Sequence, residues 1–598
     1  MEAIESIVEN INNSKSFVLE AGAGSGKTYT LIQTINYLLE SKSEHLHFKN
    51  QRIVCITYTN VAKNEIIERL ENNPLIVVST IHEFLWDCIK SFNKQLLTEF
   101  DAMNTSYYEE KPEKFTLGLI DRIQRVDYTD RTFSDFESGI VGHDDLITLA
   151  KRLFENYDLL SSIIASKYPY IFVDEYQDTA PETIHALLDS LLSKNEGKLI
   201  IGFYGDSHQK IYNTGVGSLT SYVESNTIEL VEKTENYRSS ISVITLLNKI
   251  RSNIQQTIPE GIEKTEGEVK FINCTNYPLK SSGQKVKEYE DSLIPQKNSN
   301  YDTVIKKLES EGWDFGSGSD DKILIIANSR VARRGGFGDL YSTYSRRFGQ
   351  GANEALLKRD NPITTLFLGS EDKKSSKERM TGIEHLVKFY KDSKYNEVVN
   401  FLKRNGVSSV NLKRHTDKKV ITDKIDELIS IRETGTIEEV LNFALGNKLV
   451  VPSLGVTKFV DRINSNFEEL EEEQRSRVEK DKTFYDALMS LPYQEVINCF
   501  KHTQNQNVFS TKHGTKGEEY RNVLVVIDDT SWKSQYKFEG YFDNSDDKAD
   551  RKERTKNLFY VSCSRAKEKL LVLALSTMGH NAMTTIDNWF GGENVQDI

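Results

Sequence analysis

A glycine-rich turn, set between an apolar run and a helical pattern, limits what this chain can fold into more than any other feature. Ser16 to Thr30 reads Ser-Phe-Val-Leu-Glu-Ala-Gly-Ala-Gly-Ser-Gly-Lys-Thr-Tyr-Thr. Phe17 to Leu19 has the character of a buried strand, and after Lys27 the residues Leu31, Ile32, Ile35, Leu38 and Leu39 fall on one helical face. A strand that turns on glycines into a helix is a phosphate cradle. Backbone N–H groups converge on an anion with no Cβ in the way, and the helix N-terminus adds partial positive charge. The cradle comprises Ala21, Gly22, Ala23, Gly24, Ser25, Gly26, Lys27 and Thr28. Lys27 is placed to reach the β- and γ-phosphates of ATP, and the Thr28 hydroxyl to ligate Mg²⁺. Ala21 stands where the usual pattern starts with glycine, and a small residue still permits the turn.

With 598 residues the chain is too long for a single core, so several domains are expected. No apolar run is long enough to cross a bilayer, and Glu2, Glu5 and Glu9 replace the basic start of a signal peptide. The expectation is a cytoplasmic protein without a membrane partner. The cysteines at 55, 88, 274, 499 and 563 lack C-x-x-C spacing, which argues against a zinc or disulfide framework. A formal charge of −13 repels nucleic acid at long range, so any contact with DNA has to use local basic patches and backbone groups.

Strand and helix patterns alternate from the cradle through Arg52 to Thr57 and Leu75 to Val78, are interrupted by a helical region, and resume at Tyr170 to Val173 and Lys198 to Tyr204. Residues 275–320 are rich in Lys, Ser, Gly and Asp and read as a loop or a mobile insertion. A second α/β domain, split by a helical stretch, is expected from Lys322 to the last strand pattern at Leu570 to Ala574.

Two strands deliver chemistry at their carboxyl ends, where open parallel sheets bind ligands. Asp174 and Glu175 follow four apolar residues, and strand alternation would send them to opposite faces. Asp174 suits Mg²⁺, with Thr28 as its companion ligand, and Glu175 suits activation of a water. Gln209 is suited to orient that water or sense the γ-phosphate. Arg238 and Arg565 are candidate fingers for charge developing on the γ-phosphate.

The ordered segments AGAGSGKT at 21, TYTNVAKNEI at 57, TIHEF at 80, VDEYQDT at 173, GDSHQKIY at 205, ENYRSS at 235, TKHGTKGEEY at 511 and YVSCSRA at 560 resemble a superfamily-one DNA helicase of the UvrD/Rep/PcrA type. The resemblance implies an α/β fold of two RecA-like P-loop NTPase domains, each with a helical insertion. The first domain would take residues 1–85 and 150–245 with its insertion at 86–149, and the second 246–334 and 507–598 with its insertion at 335–506. It further implies ATP-driven movement on single-stranded or tailed DNA, conventionally 3′ to 5′, and supports Arg238 and Arg565 as γ-phosphate contacts. Tyr237 would stack on adenine and Glu519 would hold the ribose. Tyr58, Thr59, Asn60, Thr80, His82 and Phe84 match the strand-tracking segments, with His513, Thr515 and Lys516 facing them.

The chain departs from the family pattern in three places. No glutamine precedes the cradle to read adenine, Asn213-Thr214-Gly215-Val216 lacks a stacking ring, and no aromatic hairpin is evident after Arg565. The expected consequences are a less strict preference for ATP and weak duplex unwinding by the chain alone. Two functions follow: an autonomous helicase, or a DNA- or nucleotide-sensing ATPase subunit of a bacterial anti-phage complex that regulates a partner nuclease of the OLD type.

Overall fold

The computed structural model describes the chain apart from residues 1, 58–59, 130–133, 211–214, 252, 317, 326–327, 370, 373–378, 405–414, 466–471, 505–508, 511–517 and 531–534. It contains two compact units, Met1–Asn276 with Lys533–Ile598, and Tyr277–Trp532. Among the described residues no helix is long and apolar enough to cross a membrane.

The first unit is built on a parallel sheet of β1 (Phe17–Ala21), β2 (Ile53–Thr57), β3 (Ile76–Thr80), β4 (Tyr170–Asp174), β5 (Ile200–Gly205) and β6 (Glu229–Lys233), in the order β3-β2-β4-β5-β1-β6. β1 lies inside the sheet, with Phe17 in register with Gly202 on one side and Glu229 on the other. Successive residues of a strand point to opposite faces. Val18, Val54, Ile171 and Ile201 therefore enter one core, while Phe17, Leu19, Cys55 and Phe172 enter another. Both faces are covered by helices, so the strands read as continuous apolar runs rather than alternating ones.

The second core is closed by α1 (Ala3–Asn12), through Ala3, Ile7 and Ile11, and by α2 (Lys27–Phe48), through Leu31, Ile35 and Leu38. After β2 the chain enters α3 (Asn60–Arg69). The first core is closed by α4 (Ile81–Ile89) and α5 (His143–Asn156), through Phe84, Leu85, Leu146, Leu149 and Phe154. The helical segment between β3 and β4 thus shares its core with the sheet. Because every strand runs the same way, Ala21, Asp174, Gly205 and Lys233 all reach the same edge, which is where the functional side chains gather.

The same unit carries α6 (Ile241–Ile250), β7 (Glu268–Asn273), α7 (Ala549–Cys563), β8 (Ala566–Ala574) and β9 (Val595–Asp597). β7 pairs in parallel with β8 on one side and β9 on the other. Residues more than 290 positions apart therefore sit side by side, Phe271 opposite Val572, for example.

In the second unit Lys322–Ile325 pairs in parallel with Tyr520–Ile527 and with Phe509–Ser510. Helices from Gly338–Phe348 to Gln494–Thr503 pack Leu340, Tyr344, Phe367, Leu386, Val440 and Leu488 into a core of their own. Each unit mixes helices with parallel strands, as expected of an α/β fold, and has a helical segment between strands. The loop reading of 275–320 is corrected. Val286–Ser292 and Ile294–Ser310 are helices, the second started by Pro295 in its first turn and anchored by buried Tyr301, Val304 and Leu308. Ser299, Lys306, Lys307 and Ser310 lie on the solvent side of this amphipathic helix, whereas Lys297 is buried against Asp528 at 3.0 Å.

Candidate functional site

The glycine turn has the geometry its sequence requires. Gly24 has φ +72° and Gly26 φ +79°, left-handed values that suit glycine, and Gly26 is the N-cap from which α2 starts at Lys27. A Cβ added to Gly24 would stand 2.6 Å from Cβ of Arg238 and 3.0 Å from Oδ1 of Asn236. The loop is gripped from outside the strand–turn–helix unit. The Tyr237 amide donates to the Gly24 carbonyl at 2.8 Å, and the Ala23 carbonyl accepts from Asn236 Nδ2 at 3.1 Å and Gln256 Nε2 at 2.7 Å. The Ser25 hydroxyl is buried with no hydrogen-bond partner among the described residues. An orphaned donor in a left-handed glycine cradle at a helix N-terminus fits a phosphate chain.

Asp174 ends β4 and is 5% exposed, with its Oδ1 accepting from the Glu175 amide at 3.0 Å. Glu175 does not continue the strand. It has φ 54° and ψ 45°, so a left-handed turn sets its direction, and the expectation based on strand alternation is corrected. A non-glycine residue in that region costs about 1–3 kcal/mol and persists where the surroundings over-determine it. Gln177 supplies that support, its Nε2 donating to Glu175 Oε2 at 2.6 Å and its Oε1 accepting from the Asp206 amide at 3.2 Å. Thr28 and Asp174 are the residues able to hold a Mg²⁺ ion beside the cradle, Thr28 one residue into α2 and Asp174 at a strand end on the same sheet edge.

Gln209 and Arg565 meet although 356 positions separate them. Arg565 Nη2 donates to Gln209 Oε1 at 3.2 Å, and Gln209 Nε2 donates to Asp206 Oδ2 at 2.9 Å. Arg565 is 2% exposed and its Nε also donates to the Val561 carbonyl. Arg238 lies close by, its Nη1 donating to the Ser564 carbonyl at 3.1 Å.

Behind these groups lies a buried charge network. Glu20, the fourth residue of β1, accepts from the Ser207 amide at 2.9 Å and hydroxyl at 2.5 Å and from the Tyr176 hydroxyl. Burial, and then the charge of Asp206, raise its pKa, against the lowering effect of those hydrogen bonds. Arg251, one residue past α6, has no exposed side-chain surface. Its Nη1 donates to Asp206 Oδ1 at 3.1 Å and to the Tyr560 hydroxyl at 3.0 Å, and its Nη2 lies 3.8 Å from Glu20 Oε1. Burial pulls the guanidinium pKa down, but Asp206, Tyr560 and Glu20 outweigh it and the net shift is upward. The Tyr560 hydroxyl also accepts from the Ala23 amide at 3.2 Å, so the network reaches the glycine turn itself.

Of the residues matched to strand-tracking segments, Tyr58, Thr59, His513, Thr515 and Lys516 lie outside the described residues, as do the side chain of Asn60 and Thr214. Thr80 is the N-cap of α4, its hydroxyl accepting from the Glu83 amide in a capping box. His82 stacks on His143 at 4.1 Å between ring centroids, and burial followed by the His143 charge lowers its pKa to about 4. Phe84 is corrected: it is 2% exposed and packs edge-on against Tyr168 in the core, so it offers no ring to a base. Tyr237 is half exposed, with Lys233 Nζ 5.5 Å from its ring centroid, while Glu519 is exposed on the second unit just before Tyr520–Ile527.

Comparison with known proteins matches a family model described as an AAA domain to residues 4–215. Gabija protein GajB of Bacillus cereus (strain HuB5-5) is 24% identical over 681 aligned positions, covering 96% of this chain and 95% of that protein. ATP-dependent DNA helicase PcrA of Staphylococcus aureus (strain Mu50) is 24% identical over 649, covering 93% of this chain and 80% of that protein. PcrA of Staphylococcus epidermidis (strain RP62A) is 22% identical over 673, covering 96% and 84%. Over nearly its whole length the chain is thus similar to UvrD-type helicases. The similarity supports a helicase-type ATPase.

Several residues at this centre were not singled out in the sequence. Glu20 was the readable one, since a carboxylate inside the wholly buried strand Phe17–Ala21 demands partners. Gln177, Asn236 and Tyr560 lie within the segments VDEYQDT, ENYRSS and YVSCSRA but were given no role, while Arg251 and Gln256 lie outside every segment and are defined by what they touch.

Proposed function

We propose that the chain couples Mg-ATP hydrolysis to 3′-to-5′ movement along single-stranded DNA. The observation that carries this reading is the meeting of Gln209 with Arg565 beside a glycine cradle. A water-orienting amide and a cation suited to γ-phosphate charge are held in mutual contact, which is the equipment of phosphoryl transfer to water.

Each residue has a chemical task in this reading. Lys27 and the loop amides bind the phosphates, while Thr28 and Asp174 hold Mg²⁺, which neutralises phosphate charge when bound. Glu175, fixed by Gln177, takes a proton from the attacking water, and Gln209 orients that water. Arg565 and Arg238 meet charge that grows as the γ-phosphate leaves. Tyr237 provides a face for the base and Glu519 a carboxylate for the ribose. DNA tracking is assigned to Tyr58, Thr59, Asn60, Thr80 and His82, and separately to His513, Thr515 and Lys516.

The test is phosphate release with and without single-stranded DNA, together with translocation on strands of defined polarity. DNA-stimulated release that is lost in Lys27→Ala supports the reading. Release unchanged by that substitution overturns it.

A second reading is favoured by one observation: the chain spans 95% of the Gabija protein GajB but 80% of the S. aureus PcrA. In this reading the ATPase is a sensing subunit of an anti-phage complex, and DNA or nucleotide occupancy regulates a partner nuclease of the OLD type. Co-purification with the product of a neighbouring nuclease gene, and nuclease activity that responds to Lys27→Ala, would support it. Robust displacement of long duplex by the isolated chain would favour the autonomous helicase instead.

A further inference from the structure

Glu20, Asp206 and His208 bring three potential ligand atoms within 4.8 Å of one another, a spacing that would suit a metal ion. The site already has a cation. Arg251 reaches Asp206 at 3.1 Å and Glu20 at 3.8 Å, and its Nε donates to Asn253 Oδ1 at 3.1 Å. No solvent reaches its side chain. Such a group is held by its partners, and the partners depend on it in return.

Asp206 is the hub that passes this dependence on. Its Oδ1 accepts from Arg251 and from the His208 amide at 3.1 Å, and its Oδ2 accepts from Gln209 Nε2 at 2.9 Å and from the Tyr560 hydroxyl at 3.3 Å. With Nε2 tied to Asp206, the Gln209 amide can present only its oxygen outward, and that oxygen is the atom Arg565 meets. An amide turned the other way would set a donor against a guanidinium, donor against donor.

We propose that Arg251 is a positioning residue of the ATPase centre: a built-in cation that fixes Asp206, and through Asp206 the direction of the Gln209 amide. The inference rests on the ATPase reading above. Arg251 touches neither water nor nucleotide in this role. Without it, the carboxylates of Glu20 and Asp206 repel across a buried gap, and Asp206 releases Gln209.

The test uses the full chain, with Mg-ATP and single-stranded DNA. Arg251→Ala should lower kcat by roughly 10- to 100-fold, the scale of lost outer-shell support, with the Kd for ATP unchanged. Added guanidinium ion should restore part of kcat by entering the vacated cage. In an Asp206→Asn background, Arg251→Ala should cost no further kcat, because the link it acts through is already cut. If Arg251→Ala fails to fold, two other variants carry the test: Arg251→Lys, which keeps the charge and should retain more activity, and Arg251→Ala with Asp206→Asn, which balances it and should match Asp206→Asn alone.

Rate and ATP affinity falling together, with no response to guanidinium and with additive effects in the double variant, would make Arg251 merely structural and overturn the inference. Wild-type kcat in Arg251→Ala, with Lys27→Ala inactive, would overturn this inference and leave the ATPase reading standing. A wild-type chain that hydrolyses no ATP would overturn both.

Discussion

The amide oxygen of Gln209 lies 3.2 Å from Nη2 of Arg565, and both side chains are buried. One residue follows a strand of the first sheet and the other follows α7, so the contact joins chain segments that share no local sequence. It pairs a planar acceptor with the most polar edge of a guanidinium and leaves little freedom to either. The arrangement is pre-organised: these groups need not be ordered at the moment of reaction, which is how fixed dipoles lower a barrier.

Lys27→Ala should abolish ATP hydrolysis, and Glu175→Gln should keep ATP binding while losing turnover. The amide preserves the hydrogen bond that Gln177 makes at 2.6 Å and the left-handed backbone, yet cannot take a proton. Phosphate release and nucleotide binding measured on the same preparations check both. Wild-type turnover in Glu175→Gln would remove Glu175 as the base.

Gly24→Ala should weaken ATP binding and lower the melting temperature together. A left-handed alanine costs roughly 1–2 kcal/mol before any contact is counted, and its Cβ would stand 2.6 Å from Cβ of Arg238. Gly197→Ala is the control, because it shares a positive φ of 73° with nothing within 4 Å of the added Cβ. Calorimetry should show the larger loss at position 24, and equal losses would mean that crowding by Arg238 is unimportant.

The cradle, the Asp174-Glu175 pair and Gln209 were legible in the sequence because each is a short pattern tied to a strand end. Glu175 was placed correctly but its direction was not, since alternation along a strand says nothing once the backbone turns left-handed at φ 54°. Phe84 was misplaced because a ring at a motif position and a ring in the core look alike in sequence, and burial decided the matter. Arg251 was invisible for another reason: its partners Glu20, Asp206 and Tyr560 come from three distant segments, and no local spacing encodes that meeting.

Tyr237→Ala should raise KM for ATP by roughly 3- to 10-fold, matching the 0.5–1.5 kcal/mol of an aromatic stacking contact, with kcat little changed. The ring is half exposed while its amide is already tied to Gly24 at 2.8 Å, so the side chain can be removed without undoing the grip on the loop. Tyr237→Phe should restore the wild-type KM. Steady-state kinetics with both variants decides it, and a fall in kcat alone would point to the loop rather than to the base.

Acid should destabilise the protein as the pH falls from about 6.5 through about 4. Burial and the stacked His143 hold His82 neutral, with a folded-state pKa near 4 against an ordinary 6.5. A depressed pKa means that the contribution is complete above 6.5 and is lost as the pH drops through the folded value. The neighbouring His143 Nδ1 is bonded to the Tyr128 hydroxyl at 2.6 Å, so a proton on His82 faces a second ring that is itself committed. His82→Phe should keep a stacked ring and flatten part of the fall in melting temperature. His208 and His502, also depressed to about 4, should preserve the remainder.

Arg565→Ala should slow turnover by about 10³-fold or more, the scale of a lost finger, and leave ATP affinity nearly unchanged. Two effects combine. The cation suited to developing γ-phosphate charge is gone, and the Gln209 oxygen loses the donor that holds it at 3.2 Å. The two can be separated with Gln209→Ala. If Arg565 served only to hold Gln209, adding Arg565→Ala to Gln209→Ala would cost nothing further. If it meets phosphate charge directly, the double variant should fall well below Gln209→Ala alone. Arg565→Lys, which keeps charge but not the planar fork, should recover only part of the rate. Single-turnover hydrolysis alongside equilibrium ATP binding reads all four variants, and loss of affinity in step with rate would make Arg565 a ground-state ligand instead of a finger.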